Sequence, residues 1–357
     1  CRTCSGIQKS WIPAFAGMTM RTILIPRLNS DTIKIMKSGR ALSPRLWAII
    51  ALLVTSIIWG LAGPVIKLTI PFLPPFTFLL YRFLIASFII LPFYLRELKK
   101  KPLHSADLPR LFWLGFFGMT LNLGLLFLGF EKTSAIEGSL ISAATPIMII
   151  FAGWKFLKER VTKREEIGTT LALLGTIIIA TEPIFNGGGN INFNPLEHLE
   201  GNFLIFIANF AWVVYTIYSK EICRKYSALT VTASTFIVGL ITFTPLAAGE
   251  AFIFNRLPVW NLTSILGLLF MAVFSLLAAY FLYEWGLRRI EAGEAAIFGH
   301  LQPLFTFPAA FILLGETLNP KLLPGLLLAT IGVVIATSEK LRIHSVPRKR
   351  AKMSCRT

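Results

Sequence analysis

The chain has 357 residues, of which 55% are hydrophobic and 15% are charged, and its mean hydropathy is +0.68. Soluble globular domains carry about 25% charged residues, so the composition excludes an ordinary soluble protein and indicates a membrane protein. The net charge of +17 does not indicate nucleic-acid binding, because the Lys and Arg residues lie in tails and in short loops between apolar segments.

The first segment, residues 1–40, lacks a continuous apolar run and is predicted to be a non-structural extension. A secretory signal peptide is the alternative, but the apolar residues are too interrupted for the hydrophobic region of such a signal. The four cysteines are scattered along the chain (Cys1, Cys4, Cys223 and Cys355). Their spacing predicts neither a disulfide framework nor a metal cluster, and we expect no cofactor.

Ten apolar segments follow, each close to the ~20 residues that a helix needs to cross a bilayer. Because a bilayer offers no water to backbone N–H and C=O groups, each segment is predicted to be an α-helix. The predicted fold class is therefore an all-α integral membrane protein with ten transmembrane helices, at 46–66, 76–95, 109–130, 134–157, 165–183, 200–219, 228–248, 263–286, 293–315 and 321–338.

The charges of the loops predict the orientation of these helices. With the N-terminus inside, the four internal loops hold fifteen Lys and Arg residues and the five external loops hold four. Cytoplasmic loops are enriched in Lys and Arg, so both termini are predicted to be cytoplasmic, and we expect a multi-pass protein of a bacterial inner membrane.

The sequence also contains an internal repeat. Residues 134–182 align without a gap on residues 291–339, at an offset of 157, and Pro146 and Glu159 align with Pro303 and Glu316. Repeats of this kind indicate a transporter when the chain is apolar. Each copy has five predicted helices, an odd number, so the second copy must cross the membrane in the opposite orientation.

The repeat extends to the first helix of each half. Trp59 and Lys67 are eight residues apart, as are Trp212 and Lys220, at an offset of 153. Eight residues are just over two helical turns, so the members of each pair lie on one helix face.

Taken together, the doubled Trp–Lys pairs, the doubled Pro and Glu positions, and Pro75 with Arg82 resemble the drug/metabolite transporter superfamily, in its EamA-like branch. The resemblance covers residues 46–339 and implies a first repeat at 46–183 and a second at 200–339. The basic residues of the tail at 340–357 predict that it is cytoplasmic. The resemblance further implies a carrier with alternating access to a central cavity, walled mainly by helices 1–4 and 6–9, with helices 5 and 10 peripheral. The two halves differ at Arg82, which aligns with Thr235.

Arg82 is the one basic residue that this topology places within a helix rather than in a loop or tail. Burying an Arg in a bilayer costs at least ~2.5 kcal/mol, so such a residue is a functional candidate, and its planar guanidinium suits a carboxylate or a phosphate. The alternative is a structural Arg near the outer helix end, with its guanidinium at the membrane surface or on helix-end carbonyls.

Two further sets of ionisable and polar residues carry alternative interpretations. His300 and Gln302 precede Pro303, which frees a backbone carbonyl one turn earlier, and they either face a cavity or bond between helices. Glu284 lies four residues before Arg288, which favours a surface ion pair; proton coupling by Glu284 or His300 is the alternative. Glu159 and Glu316 end their helices and are interpreted, with Pro146 and Pro303, as structural signature residues.

The substrate site is predicted near the middle of the membrane, between corresponding helices of the two halves. Its candidate residues are the polar and aromatic ones well inside those helices: Arg82, Trp59, Asn122, Asn209, Trp212, Tyr215, Tyr280, His300 and Gln302.

These observations predict a secondary transporter of a small polar metabolite, with an amino-acid-like compound as the first hypothesis. A channel or a scaffold is the alternative. A membrane enzyme is disfavoured, because the sequence has no HExxH, no GxSxG and only two Asp residues, Asp31 and Asp107, both outside the predicted helices. The expected partners are the substrate and the lipid bilayer, without nucleic acid; whether the chain forms a homodimer stays open.

Overall fold

A computed structural model describes residues 44–158, 163–185, 195–316 and 320–343. The predicted extension at 1–40, the predicted signature residue Glu159 and most of the predicted basic tail lie outside these described residues.

The described chain forms ten helical segments, in agreement with the predicted all-α membrane fold. In chain order they are α1 (Pro44–Thr69), α2 (Pro75–Lys100), α3 (Ser105–Lys132), α4 (Ala135–Leu157), α5 (Lys163–Phe185), α6 (Pro195–Lys225), α7 (Ala228–Phe252), α8 (Leu262–Leu287), α9 (292–314) and α10 (Leu323–Ile343). Seven of them, α1–α4 and α6–α8, are each long and apolar enough to cross a membrane. The other three contain shorter apolar stretches, at 166–179, 298–314 and 320–332.

Several helices continue past the apolar segments that predicted them. Lys67 lies in the last turn of α1, one residue past its predicted segment, and Lys220 lies well inside α6, one residue past its predicted segment. The prediction that Arg82 is the one basic residue inside a helix is therefore wrong. The reason is physical: backbone hydrogen bonding continues a helix into polar residues, which the apolar pattern does not mark.

Lys67 and Lys220 have equivalent roles in the two repeats. The ammonium of Lys67 donates to the backbone carbonyls of Phe130 (3.0 Å) and Glu131 (3.3 Å), at the end of α3. The ammonium of Lys220 donates to the carbonyls of Leu287 and Ile290, at the end of α8. A cation at a helix C-terminus satisfies carbonyls that have no partner in the helix and interacts favourably with the helix dipole.

Two glycines, one in each repeat, allow equivalent close contacts between the repeats. A Cβ on Gly129 of α3 would lie 2.5 Å from Ile205 of α6, and one on Gly286 of α8 would lie 2.8 Å from Leu52 of α1. Gly129 and Gly286 are 157 residues apart, and Leu52 and Ile205 are 153 apart. The two offsets found in the sequence therefore also relate the packing contacts of the two halves, as an inverted repeat requires.

Four helices are irregular near the middle of the bundle. Residues 116–121 of α3 and 270–278 of α8 are π-helical, while α4 is interrupted at 143–144 and α9 contains a 3₁₀ segment at 298–301. The interruptions in α4 and α9 immediately precede the segments that begin with Thr145–Pro146 and Gln302–Pro303. Proline lacks the N–H that would continue the hydrogen-bond ladder, and such breaks are tolerated at membrane depth where the chain borders a cavity.

Candidate functional site

A cavity of about 150 Å³ lies between the two repeats. Its walls come from α1, α2, α3 and α4 of the first repeat and from α6, α8 and α9 of the second. No described residue of α5, α7 or α10 borders it. One water needs only ~10–15 Å³ measured in this way, so the space is sufficient for a small organic molecule.

One wall of the cavity is aromatic. Trp59 and Trp212, which the inverted repeat makes equivalent, meet edge to face with their ring centroids 5.3 Å apart. Tyr280 and Tyr283 pack on both indoles, with centroid separations of 5.2 to 5.7 Å. The Trp59 Nε1–H donates to the Ser275 carbonyl at 3.1 Å, in the π-helical part of α8. This contact fixes the Trp59 ring, so the aromatic wall has a defined shape.

Arg82 contributes a positive charge to the cavity lining. Its side chain is 1% exposed, its Nε donates to the Met271 carbonyl at 3.2 Å, and its guanidinium lies 5.1 Å from the centre of the Phe127 ring. Its Nη1 is buried and has no hydrogen-bond partner within the described residues. The guanidinium is inside the bundle, so the interpretation in which it reaches the membrane surface is wrong.

The two predicted asparagines border the cavity and brace its walls. Asn122 of α3 donates from Nδ2 to the Ala208 carbonyl of α6 at 2.8 Å. Asn209 of α6 donates from Nδ2 to the Ile141 carbonyl at 3.1 Å, next to the interruption in α4. Each amide therefore joins a helix of one repeat to a helix of the other.

Of the pair before Pro303, Gln302 borders the cavity and His300 does not. Pro146, interpreted as a structural signature, also borders it. Glu316 accepts hydrogen bonds from the backbone N–H groups of Ala135 and Ile136, both at 3.0 Å. It thus connects the end of α9 to the beginning of α4.

Tyr215 and Glu284 lie behind the aromatic wall, outside the cavity. The Glu284 carboxylate is fully buried and accepts hydrogen bonds from Tyr215 Oη (2.5 Å), Ser219 Oγ (2.5 Å) and Cys223 Sγ (3.1 Å). The favoured interpretation of Glu284 as a surface ion pair with Arg288 is therefore wrong. The spacing suggested a pair along α8, whereas the carboxylate points across to α6.

Sequence reasoning missed several small hydroxyl residues of the lining. They are Ser139, Ser142 and Thr145 of α4, Ser275 of α8 and Thr306 of α9. Ser and Thr are common in apolar helices because their hydroxyls bond to the preceding turn, as Thr306 Oγ1 does to the Gln302 carbonyl at 3.1 Å. Closeness to Pro146 or Pro303 could have identified Ser142, Thr145 and Thr306, whereas no sequence signal marks Ser275.

The described residues contain no group of three or more His, Cys, Asp or Glu side chains that could hold a metal ion. The described lining of the cavity offers one guanidinium, three amides, several hydroxyls and six aromatic side chains.

Comparison with known proteins identifies the family. The model of the EamA-like transporter family matches residues 46–181 and again residues 199–338. The chain belongs to the EamA-like transporter family. This EamA-like protein is thus a multi-pass membrane transporter, and the two matches coincide with the two halves of the inverted repeat.

Relatives of this EamA-like transporter match over almost their full length. An uncharacterized transporter of Archaeoglobus fulgidus is 28% identical over 296 residues, which cover 82% of this chain and 99% of the relative. The uncharacterized transporter YyaM of Bacillus subtilis is 24% identical over 294 residues, which cover 81% and 92%. A protein crystal structure aligns with a TM-score of 0.60 at 18% identity, covering 85% of this chain and 99% of that one. The last similarity concerns the fold alone.

Proposed function

We propose that this transporter is a secondary carrier for a small metabolite that bears a carboxylate. An amino-acid-like compound is the simplest example. The carrier works by alternating access between its two repeats. The observation that carries the proposal is Arg82, a buried cation whose Nη1 lacks a hydrogen-bond partner among the described residues and whose side chain borders the cavity.

The charge of the lining supports an anionic group on the substrate. Among the described residues that border the cavity there is no Asp or Glu, so none of them offers Arg82 an opposite charge. An unpaired charge away from water is costly, and a substrate carboxylate would remove that cost. A guanidinium can bind both oxygens of a carboxylate in one plane, which an ammonium cannot do.

The aromatic wall supports a second contact for the rest of the substrate. The faces of Trp59, Trp212 and Tyr280 attract an ammonium group through cation–π interaction and also accept an apolar side chain. A zwitterion could place its carboxylate on Arg82 and its ammonium or side chain on the rings, because both groups border the same cavity. The inverted repeat supports the carrier mechanism, because such repeats place substrates at the interface between the halves.

The test is a binding screen followed by transport. A ligand that binds only the folded state raises the stability of the protein, by about 2.7 kcal/mol at 100 times its Kd. We expect amino acids and related carboxylates to raise the melting temperature of the purified transporter, and the matching amines and methyl esters to have no effect.

Proteoliposomes then separate a carrier from a channel. A labelled hit should show saturable uptake and accelerated exchange when the same compound is present inside. Stabilisation by amines or neutral compounds alone would contradict the carboxylate assignment, and unsaturable flux without exchange would contradict the carrier mechanism.

A further inference from the structure

The cavity is not symmetrical with respect to the two repeats. Ala62 and Ile66 of α1 and Phe127 of α3 border it. At the offsets that relate the packing contacts of the halves, 153 for α1 and α6 and 157 for α3 and α8, their equivalents are Tyr215, Ser219 and Glu284. None of these three borders the cavity. The space is therefore open on one side of the repeat interface and closed on the equivalent side.

The closed side is filled by a polar cluster, defined here as Tyr215, Ser219, Cys223 and Glu284. The first three lie four residues apart along α6, on one face, and each contacts the Glu284 carboxylate of α8. The Tyr215 ring stacks on Trp212 with centroids 5.0 Å apart, so the cluster lies directly behind the aromatic wall of the cavity.

The groups around Glu284 are mostly neutral. From α6 the titratable neighbours are Tyr215, Cys223 and Lys220, whose ammonium is bound to carbonyls at the end of α8. Along α8 they are Tyr280, Tyr283 and, beyond the helix end, Arg288. The described contacts of α1 and α7 with this part of α8 come from uncharged side chains, such as Leu52 and Phe236. The charged group of α2 nearest to this part of α8 is Arg82, which interacts with Tyr280.

Alternating access in an inverted repeat exchanges the conformations of its two halves around a fixed site. In the opposite-facing state, the second half takes the arrangement that the first half has here. Tyr215, Ser219 and Glu284 would then border the cavity, as Ala62, Ile66 and Phe127 do in this state.

We propose that Glu284 is a proton-binding site that is closed off in this state and exposed to the cavity in the opposite-facing state, so that proton uptake or release accompanies transport. The inference rests on the alternating access of the proposed function.

In the open state the carboxylate exchanges a proton with water of that side. In the closed state it is fully buried and is held by Tyr215, Ser219 and Cys223. Burying Glu284 in this cluster costs less free energy when the acid is protonated and neutral than when it is charged. The first repeat has no such coupling, because Phe127 occupies the equivalent position.

The first test uses an equivalent pair of single cysteines, Ile66→Cys and Ser219→Cys, in a protein whose four native cysteines are replaced by serine. Intact vesicles are treated with a membrane-impermeant maleimide from either side, and labelling is read by mass. We expect the two positions to react from opposite sides.

The outcomes of this test separate the two proposals. Reaction of Ile66→Cys with no reaction of Ser219→Cys from either side would overturn the exposure of the cluster and leave the carrier untouched. Reaction of both positions from both sides at once would instead contradict alternating access.

The second test concerns the proton and uses the unsubstituted protein in native membranes. Dicyclohexylcarbodiimide enters bilayers and modifies protonated carboxyl groups. We expect it to modify Glu284, faster at acidic pH, and to spare Glu250, a buried carboxylate bound by the N–H groups of Phe76 and Thr77. A Glu284→Gln variant should lose the modified peptide. If Glu284 stays unmodified at every pH while Ser219→Cys reacts with maleimide, the proton assignment is wrong.

Discussion

Replacing Arg82 should weaken substrate binding strongly without unfolding the protein. In Arg82→Ala the substrate loses its charged partner, and a hydrogen bond to a charged group contributes about 1.5–3 kcal/mol. Since 1.4 kcal/mol is a factor of ten in Kd, affinity should fall by about 10- to 150-fold. The fold should lose little, because the described protein hydrogen bond of this side chain is the single one from Nε to the Met271 carbonyl.

Arg82→Lys separates the charge of the residue from its shape. It keeps a cation but loses the planar pair of donors, so we expect an affinity between those of the wild type and Arg82→Ala. The assay is the ligand-induced rise in melting temperature together with exchange in proteoliposomes, and elution on size exclusion reports the fold. Arg256→Ala is the control, because Arg256 pairs with Glu131 at the surface, is 52% exposed and should not affect binding. Wild-type affinity in Arg82→Ala would refute the assignment of Arg82 to the substrate.

Three further predictions concern the fold. Gly286→Ala should lower the free energy of unfolding by about 1–3 kcal/mol, because the new Cβ would lie 2.8 Å from Leu52. In thermal unfolding, the second change Leu52→Ala should recover part of that loss. Additive losses of stability in the double variant would contradict the contact. Glu250→Ala should destabilise the protein by at least about 1–3 kcal/mol, since it leaves two backbone N–H groups of α2 unpaired; an unchanged melting temperature would show that water replaces the carboxylate. Single cysteines at Asn190 and Lys100 should label from opposite sides of the membrane, and labelling from the same side would overturn the predicted topology.

Much of the candidate site followed from the sequence, and the reason lies in the repeat. Trp59 and Trp212 are equivalent positions on helices that meet at the interface of the halves, so their contact in the wall of the cavity was predictable from one alignment. Arg82 was identifiable because a cation deep in an apolar segment is costly and therefore rare. Ser139 and Ser275 were not identifiable, because a Ser or Thr in a helix carries no comparable cost.

The sequence by itself determined the ten helices, their all-α membrane fold and the relation between the halves. These properties depend on hydropathy along the chain and on which residues recur at a fixed offset, and both are properties of the chain order. Helix ends were less well determined, as Lys67 and Lys220 show, because a helix ends where its backbone groups find other partners.

Only the tertiary structure decided what the side chains contact. Glu284 and Arg288 are one helical turn apart, which favoured a pair along α8, yet Glu284 contacts Tyr215, Ser219 and Cys223 of α6. The energy of a buried carboxylate depends on the donors that a neighbouring helix brings to it and on the absence of water. Close packing of Gly286 on Leu52 places α8 against α1, and close packing of Gly129 on Ile205 places α6 against α3. The order of residues along the chain does not specify these contacts between helices, and so it does not specify which donors reach Glu284.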